Sequence, residues 1–183
     1  MPELRSVAAG GDIQTQIDLR RLSQELEVLS VTYEPESFSG LHFQFTSDSP
    51  TITLFSNGKF SITGARDISG AESCFEELIS TLSDSMNADI SSQNTSLNIR
   101  SLSYWHNYGH ELDLENLEDI FEEDEVEYNP NNHPALLYEP DDRGLFMIFR
   151  SGKIGLVGIK RNVVAQELFD ELLHRLPFDN EST

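Results

Sequence analysis

Apolar and polar residues alternate in two stretches of the chain, residues 51–63 and 145–157. Because side chains alternate between the two faces of a strand, each stretch predicts two strands with one apolar face. A turn containing Gly58 or Gly152 separates the strands, since glycine tolerates the positive φ of a tight hairpin. The predicted inward positions are Ile52, Leu54, Phe60 and Ile62, and in the second stretch Phe146, Ile148, Ile154 and Leu156.

A helical period follows each predicted hairpin. Apolar residues recur at separations of three and four from Ala71 to Leu82 and again from Ala165 to Leu176, which indicates two amphipathic helices. Shorter helices are predicted for residues 17–26 and 113–121. Asn162 is the predicted N-cap of the last helix, because its side chain can accept a backbone N–H of the first turn. Cys74 lies on the first apolar stripe, and we interpret it as a core residue.

The same order of elements occurs twice along the chain, and short motifs recur with it. Residues 55–59 correspond to 149–153, and residues 62–66 to 156–160, in both cases 94 positions further on. Upstream, residues 32–38 correspond to 127–133 at a separation of 95. Two long repeats indicate a duplicated domain rather than a solenoid. We therefore predict an α+β chain with repeats at residues 1–88 and 89–183.

One face of the predicted sheet has no predicted element to cover it. If the helices of both repeats pack on one side of an antiparallel sheet, the opposite side carries Met147, Phe149 and Val157 in the second repeat. An exposed apolar surface on a globular chain usually marks a partner site. A sandwich or a dimer that buries this face is the alternative interpretation.

Charge is the strongest signal in the composition. The chain has 32 Asp and Glu against 12 Lys and Arg, a formal net charge of −20. Such a chain should repel nucleic acid at low salt. It could bind basic proteins, mimic DNA, or function in molar salt, where the Debye length is only about 3 Å. Dispersed acids and only three lysines favour the last interpretation. The dense run at residues 122–125 is predicted to be a solvated loop.

Six of the twelve basic residues lie in or beside the two hairpins. Cations concentrated at one motif of an acidic chain favour phosphate contacts. The alternative is that exposed turns simply accommodate charge. The six are Lys59, Arg66, Arg150, Lys153, Lys160 and Arg161.

Enzyme and membrane functions have little support in the sequence. His106 and His110 have metal-ligand spacing only on a helix, whereas their surroundings predict a strand running into a turn. We predict no enzyme activity, no catalytic or metal-ligating residue and no cofactor. There is no apolar run of about 18 residues and no signal-peptide pattern, so we expect a cytoplasmic protein without a membrane partner. The single cysteine fits a reducing compartment.

The duplicated motifs resemble those of TATA-binding proteins. They are Tyr-x-Pro-x-x-Phe at residues 33–38, Phe-x-x-Gly-Lys at 55–59 and apolar-Thr-Gly-Ala-Arg at 62–66, each with a counterpart in the second repeat. The resemblance implies a saddle in which a curved antiparallel sheet of about ten strands carries four helices on its convex side. It implies that the concave face binds the minor groove of A·T-rich DNA and kinks it with apolar wedges. It also implies transcription factor B as a partner and, with the charge, a halophilic archaeal source and a nucleoid-associated location.

The family's DNA contacts carry over by position, with some departures. The wedge pairs would be Phe38 with Phe55, and Phe149 with His133, where the family has phenylalanine. Val157 replaces a groove-facing threonine that the first repeat keeps, and Gln44 and Glu139 stand at two positions that are usually arginine. The predicted DNA-binding set is Phe38, Phe55, Lys59, Thr63, Arg66, Asn98, His133, Met147, Phe149, Lys153, Val157 and Lys160.

Asn98 is in that set as the counterpart of an asparagine that the family places in the first strand of each repeat. In the first repeat the corresponding position is Ser6. The departures leave a second hypothesis open: a paralogue with weakened or lost DNA binding that acts as a protein-interaction module. A homodimer that pairs through the concave face is a further partner hypothesis.

Overall fold

The computed structural model describes residues 1–87, 90 and 95–177. Contacts divide the chain into two compact units. The first unit is Ser6–Arg100, and the second unit combines Met1–Arg5 with the chain from Ser101 onward. The described residues form ten strands and four α-helices, so the predicted α+β class is confirmed.

The first unit contains five strands and two helices. Its strands are antiparallel and hydrogen-bonded in the order β2-β3-β4-β5-β1. In chain order the elements are β1 (Glu3–Asp12), α1 (Leu19–Glu25), β2 (Ser30–Tyr33), β3 (Leu41–Gln44), β4 (Thr51–Leu54), β5 (Lys59–Ala65) and α2 (Ile68–Met86).

The second unit repeats this arrangement. Its strands are antiparallel in the order β6-β10-β9-β8-β7. In chain order the elements are β6 (Asn98–Asn107), α3 (Leu114–Glu118), β7 (Val126–Glu127), β8 (Ala135–Tyr138), β9 (Leu145–Phe149), β10 (Lys153–Ile159) and α4 (Asn162–Arg175).

Each unit buries the apolar face of its sheet against its own helices. All eight inward hairpin positions predicted from the alternation are buried, which confirms that prediction. The stripe from Ala71 to Leu82 is buried on α2, and Cys74 lies in that core. Burial raises the pKa of the Cys74 thiol to about 11, so the thiol stays protonated. On α4 the stripe is buried as predicted, except that Leu173 is only half-buried.

Side-chain caps hold three of the four helix starts. The Asp18 and Asp67 carboxylates accept the backbone N–H groups of Arg21 at 3.0 Å and Gly70 at 2.7 Å, and Asp113 caps α3 in the same way. The prediction of Asn162 as a cap is wrong. It is the first helical residue, and its Oδ1 accepts the Tyr104 hydroxyl at 2.6 Å. A partner 58 positions away in sequence thus takes the oxygen that a cap would use.

Asp67→Ala should lower the free energy of unfolding by about 1 kcal/mol, because the Gly70 N–H group in the first turn of α2 would lose its side-chain acceptor. Urea denaturation followed by circular dichroism measures the change. Glu72→Ala, on the exposed side of the same helix, is the control and should change stability by less than about 0.5 kcal/mol. Equal losses in the two variants would contradict the capping role.

Two remaining predictions concern the acidic run and the membrane. Residues 122–124 are exposed between α3 and β7, as predicted, whereas Glu125 is half-buried with its carboxylate 4.0 Å from Arg175. In the described part of the chain, no helix combines the length and the apolar character needed to cross a bilayer.

Candidate nucleic-acid interface

The outward face of the first unit's sheet is polar. We call it the first open face. Its side chains are half-buried or exposed because they alternate with the core positions, whereas its one glycine, Gly10, is buried. The strand register aligns His42, Thr53, Ser61 and Gly10 in one row across β3, β4, β5 and β1. The hydroxyl and imidazole groups give this face both donors and acceptors. The first open face consists of Gly10, His42, Thr51, Thr53, Phe55, Ser61 and Thr63.

Three rings form a cluster on this face. Phe38 stacks on His42 with ring centroids 4.7 Å apart, and it meets Phe55 edge-on at 5.8 Å. Phe38 is 42% exposed although it is a large apolar residue. Gly40 permits the approach, since a Cβ there would lie only 2.5 Å from the Phe38 ring. The structure therefore brings together the predicted pair Phe38 and Phe55.

His42 is the member of this cluster that sequence reasoning missed. It is held by a hydrogen bond between its Nδ1 and the Thr53 hydroxyl, at 2.9 Å. Only the pairing of β3 with β4 reveals this position, because His42 has no counterpart in the repeated motifs.

The outward face of the second unit's sheet is apolar by contrast. Here the register aligns Leu137, Met147, Gly155 and Trp105 in one row across β8, β9, β10 and β6. Leu145 pairs with Val157 in the neighbouring row. Sequence reasoning missed Trp105 because no motif contains it. The second open face consists of Trp105, Leu137, Leu145, Met147, Phe149, Gly155 and Val157.

Phe149 lies between two other rings on the second open face. Its centroid is 6.3 Å from that of the exposed His133 and 6.1 Å from that of Trp105. The Ala135 N–H donates to Nδ1 of His133 at 3.1 Å. The predicted pair of Phe149 and His133 is brought together in this way.

The hairpin cations do not behave alike. Arg150 forms an ion pair with Glu115 of α3, and its guanidinium donates to both carboxylate oxygens at 3.0 and 2.8 Å. This hydrogen bond raises the pKa of Arg150. The Lys153 ammonium lies 4.1 Å above the Trp105 ring. The other four take part in no ion pair with the described residues, and all are exposed: Lys59, Arg66, Lys160 and Arg161.

Arg100 is a further cation on the first open face that the sequence did not indicate. Its Nε lies 3.7 Å from the point that a Cβ on Gly10 would occupy. Because Gly10 has no side chain, the guanidinium can cover the backbone of β1 there. This places a positive group beside Gly10, at the β1 end of the row that contains Thr53 and Ser61.

The predicted position of Asn98 differs from the register that the strands adopt. Val7 pairs with Ala65 in the first unit, and Leu102 pairs with Ile159 in the second. Leu102 follows Val7 by 95 positions and Ile159 follows Ala65 by 94, so the two pairs are equivalent. Ser101 precedes Leu102 as Ser6 precedes Val7. Ser101, and not Asn98, is therefore the counterpart of Ser6. The Asn98 amide instead donates to the carbonyl and hydroxyl oxygens of Ser96 at 3.4 and 3.2 Å. The sequence misled because an Asn-Ile dipeptide occurs three residues before the equivalent position.

Carboxylates border the second open face. Glu139, which stands where the family usually has arginine, lines a groove of about 380 Å³ with Glu127 and Glu125. Leu137 and Leu145 line the same groove. The Gln44 amide, at the other such position, donates to the Ser49 carbonyl at 3.1 Å. Negative charge therefore lies beside the apolar surface of the second unit.

His106 and His110 do not form a metal site in the described residues. His106 lies in β6 with its ring edge-on to Phe169 of α4 at 5.9 Å, and His110 follows in the turn, so the prediction of a strand running into a turn is confirmed. Among residues 1–87, 90 and 95–177, no group of three or more His, Cys, Asp or Glu side chains could hold a metal ion.

Comparison with known proteins gives the same family for both halves of the chain. The model of the family "Transcription factor TFIID (or TATA-binding protein, TBP)" matches residues 1–85 and 96–177. A TATA-box-binding protein of Methanothermococcus thermolithotrophicus is 31% identical, with 96% of this chain and 94% of the relative covered. TATA-box-binding protein C of Halobacterium salinarum is 24% identical, covering 92% and 93%.

A solved structure has the same fold. Methanococcus jannaschii TBP matches with a TM-score of 0.83 and 27% sequence identity, covering 95% of this chain and 97% of that chain. The match includes both repeats, and it confirms the fold that the duplicated motifs predicted.

Proposed function

We propose that this chain, which belongs to the TATA-binding protein family, binds the minor groove of A·T-rich promoter DNA through its two open faces. In this proposal its aromatic side chains kink the duplex. Transcription initiation is the process in which this family acts, and recruitment of transcription factor B is part of the proposal. The observation that carries it is the cluster of Phe38, His42 and Phe55, in which an exposed phenylalanine lies on the outward side of a sheet.

The chemistry of the first open face suits a minor groove. Base pairs there present acceptors at adenine N3 and thymine O2, and the hydroxyls of Thr51 and Ser61 can donate to them. The Arg100 guanidinium adds a positive group that is attracted to the negative potential of the DNA groove. Exposed Lys59 and Arg66 are suited to the flanking phosphates.

The second open face supports a different contribution. Leu137, Met147 and Val157 offer apolar contact, and Phe149 lies beside His133 as the second candidate wedge. Unstacking a base step costs free energy that a buried ring offsets, so ring area decides how well a wedge works. Since histidine has less apolar area than phenylalanine, we expect the second kink to be weaker than the first.

The formal charge of −20 sets the conditions under which DNA can be bound. The carboxylates of Glu127 and Glu139 beside the second open face would repel phosphates at low salt. Molar salt shortens the Debye length to about 3 Å and removes that repulsion. A high-salt archaeal cytoplasm is therefore the proposed setting.

Binding to an A·T-rich duplex should be weak at low KCl and should strengthen as KCl rises into the molar range. Screening of the acid–phosphate repulsion would outweigh the usual loss of affinity from counterion release. Gel shift or fluorescence anisotropy across the KCl series measures this. Phe149→Ala is the control for specific binding and should bind more weakly at every salt concentration. Failure of the wild-type chain to bind at any KCl concentration would refute the proposed function.

A further inference from the structure

Trp105 lies on β6, at one end of the row that crosses the second open face, and it belongs neither to the repeated motifs nor to the predicted contacts. It pairs with Gly155 across β6 and β10, and its ring reaches over that glycine toward Met147 and Phe149. It is half-buried, so part of the ring is on the surface. It is also the only tryptophan in the chain.

Gly155 makes room for the ring. A Cβ on Gly155 would lie 3.1 Å from two carbons of the Trp105 indole and 3.2 Å from the Met147 methyl group. In the first unit the corresponding pair is Gly10 opposite Ser61. The first unit therefore has glycine on its first strand and serine opposite it. The second unit has tryptophan on its first strand and glycine opposite it.

Lys153 lies over the face of the Trp105 ring. Its ammonium lies 4.1 Å from the ring centroid, a geometry in which the cation is attracted to the π face. The ring is thus held between a cation, a glycine backbone and Met147. These contacts restrict the orientation of the ring.

The indole N–H is the only side-chain donor that this row of the second open face offers, because Leu137, Met147 and Gly155 have none. No hydrogen bond from it to another described residue is found, and it is not among the described buried atoms that lack a partner. The nitrogen is therefore not fully buried, and it belongs to the ring that the Lys153 ammonium covers.

We propose that Trp105 is a further DNA-contacting residue that makes the second unit select base pairs without a minor-groove amino group. This inference rests on the proposed function. Adenine N3 and thymine O2 are acceptors that an indole N–H can satisfy, whereas the guanine N2 amino group presents a donor to it. The surrounding apolar side chains give that amino group no acceptor.

Trp105→Phe tests the inference, because phenylalanine keeps an aromatic ring above Gly155 and removes the N–H. The probes are duplexes whose central tract is A·T, inosine·cytosine or guanine·cytosine, at a KCl concentration where the wild-type chain binds. Inosine lacks the N2 amino group, so its pair with cytosine resembles A·T in the minor groove. The variant should lose about fivefold in affinity for the A·T and inosine duplexes, as expected for one hydrogen bond, and little for guanine·cytosine. In the wild-type chain, Trp105 emission should change on binding the first two.

Tyr108→Phe is the matched control. It removes a hydroxyl that donates to the Pro177 carbonyl at 2.7 Å, outside the open face, and should leave all three affinities unchanged. An equal loss for the three duplexes in Trp105→Phe would assign the residue to packing alone. Unchanged affinities together with unchanged emission would overturn the contact. Both results leave the proposed function standing, whereas absence of wild-type binding to any duplex overturns both proposals.

Discussion

Phe55→Ala should weaken binding to an A·T-rich duplex about 30-fold, the effect of losing about 2 kcal/mol from a central aromatic contact. Phe55 is a candidate wedge, and it also supports Phe38, whose ring meets it edge-on at 5.8 Å. The substitution therefore removes the Phe55 ring and also the edge contact that supports the exposed Phe38 ring. Anisotropy measures the affinity, and energy transfer between dyes at the duplex ends measures the bend, which should decrease as well.

Leu29→Ala provides the control for Phe55→Ala. Leu29 is 61% exposed before β2 and is not part of the first open face, so its truncation should leave both affinity and bend as in the wild-type chain. Phe55→Ala with normal affinity and a normal bend would show that the ring cluster is not the wedge. A normal circular dichroism spectrum is required of both variants, since Phe55 is half-buried.

Phe169→Ala should lower the free energy of unfolding by about 4 kcal/mol, as is usual when a large buried aromatic residue is truncated in a core that cannot collapse. Phe169 is fully buried on α4 and meets Phe146 edge-on at 5.2 Å. The Phe146 ring is itself stacked on Tyr138, so the cavity would have rigid walls. Urea denaturation at fixed salt measures the loss.

Val163→Ala on the same helix is the control for Phe169→Ala. Val163 is 45% exposed, and its truncation should change the free energy of unfolding by less than about 0.5 kcal/mol. A Phe169→Ala variant as stable as the control would mean that α4 does not anchor the second unit, contrary to its buried stripe.

The features of this fold that could be predicted from sequence are local and occur twice. The alternation around Gly58 and Gly152 and the stripe through Cys74 each follow from the period of a single element, and the second copy supported the interpretation of the first. Asn162 failed as a predicted cap because its partner, Tyr104, is brought to it by the strand register. No local pattern contains that information.

The candidate site was predictable to the extent that it belongs to the repeated motifs. Phe38, Phe55 and Phe149 came from those motifs. Three other residues were missed because each is positioned by a residue on a different strand, which no local pattern indicates. His42 is positioned by Thr53, Arg100 by Gly10 and Trp105 by Gly155. The predicted DNA contacts themselves stay predictions until binding is measured.

The pair of Trp105 and Gly155 also constrains the order in which the two halves of the chain could have diverged. With tryptophan in place, even the Cβ of a serine at position 155 would lie 3.1 Å from the indole ring. Because the indole ring and the Met147 methyl group would each have to shift by a few tenths of an ångström to admit a side chain at position 155, the contact favours an order in which that side chain was lost before tryptophan was gained. The reversal Gly155→Ser should therefore lower the free energy of unfolding more in this chain than in a variant that also carries a small residue at position 105.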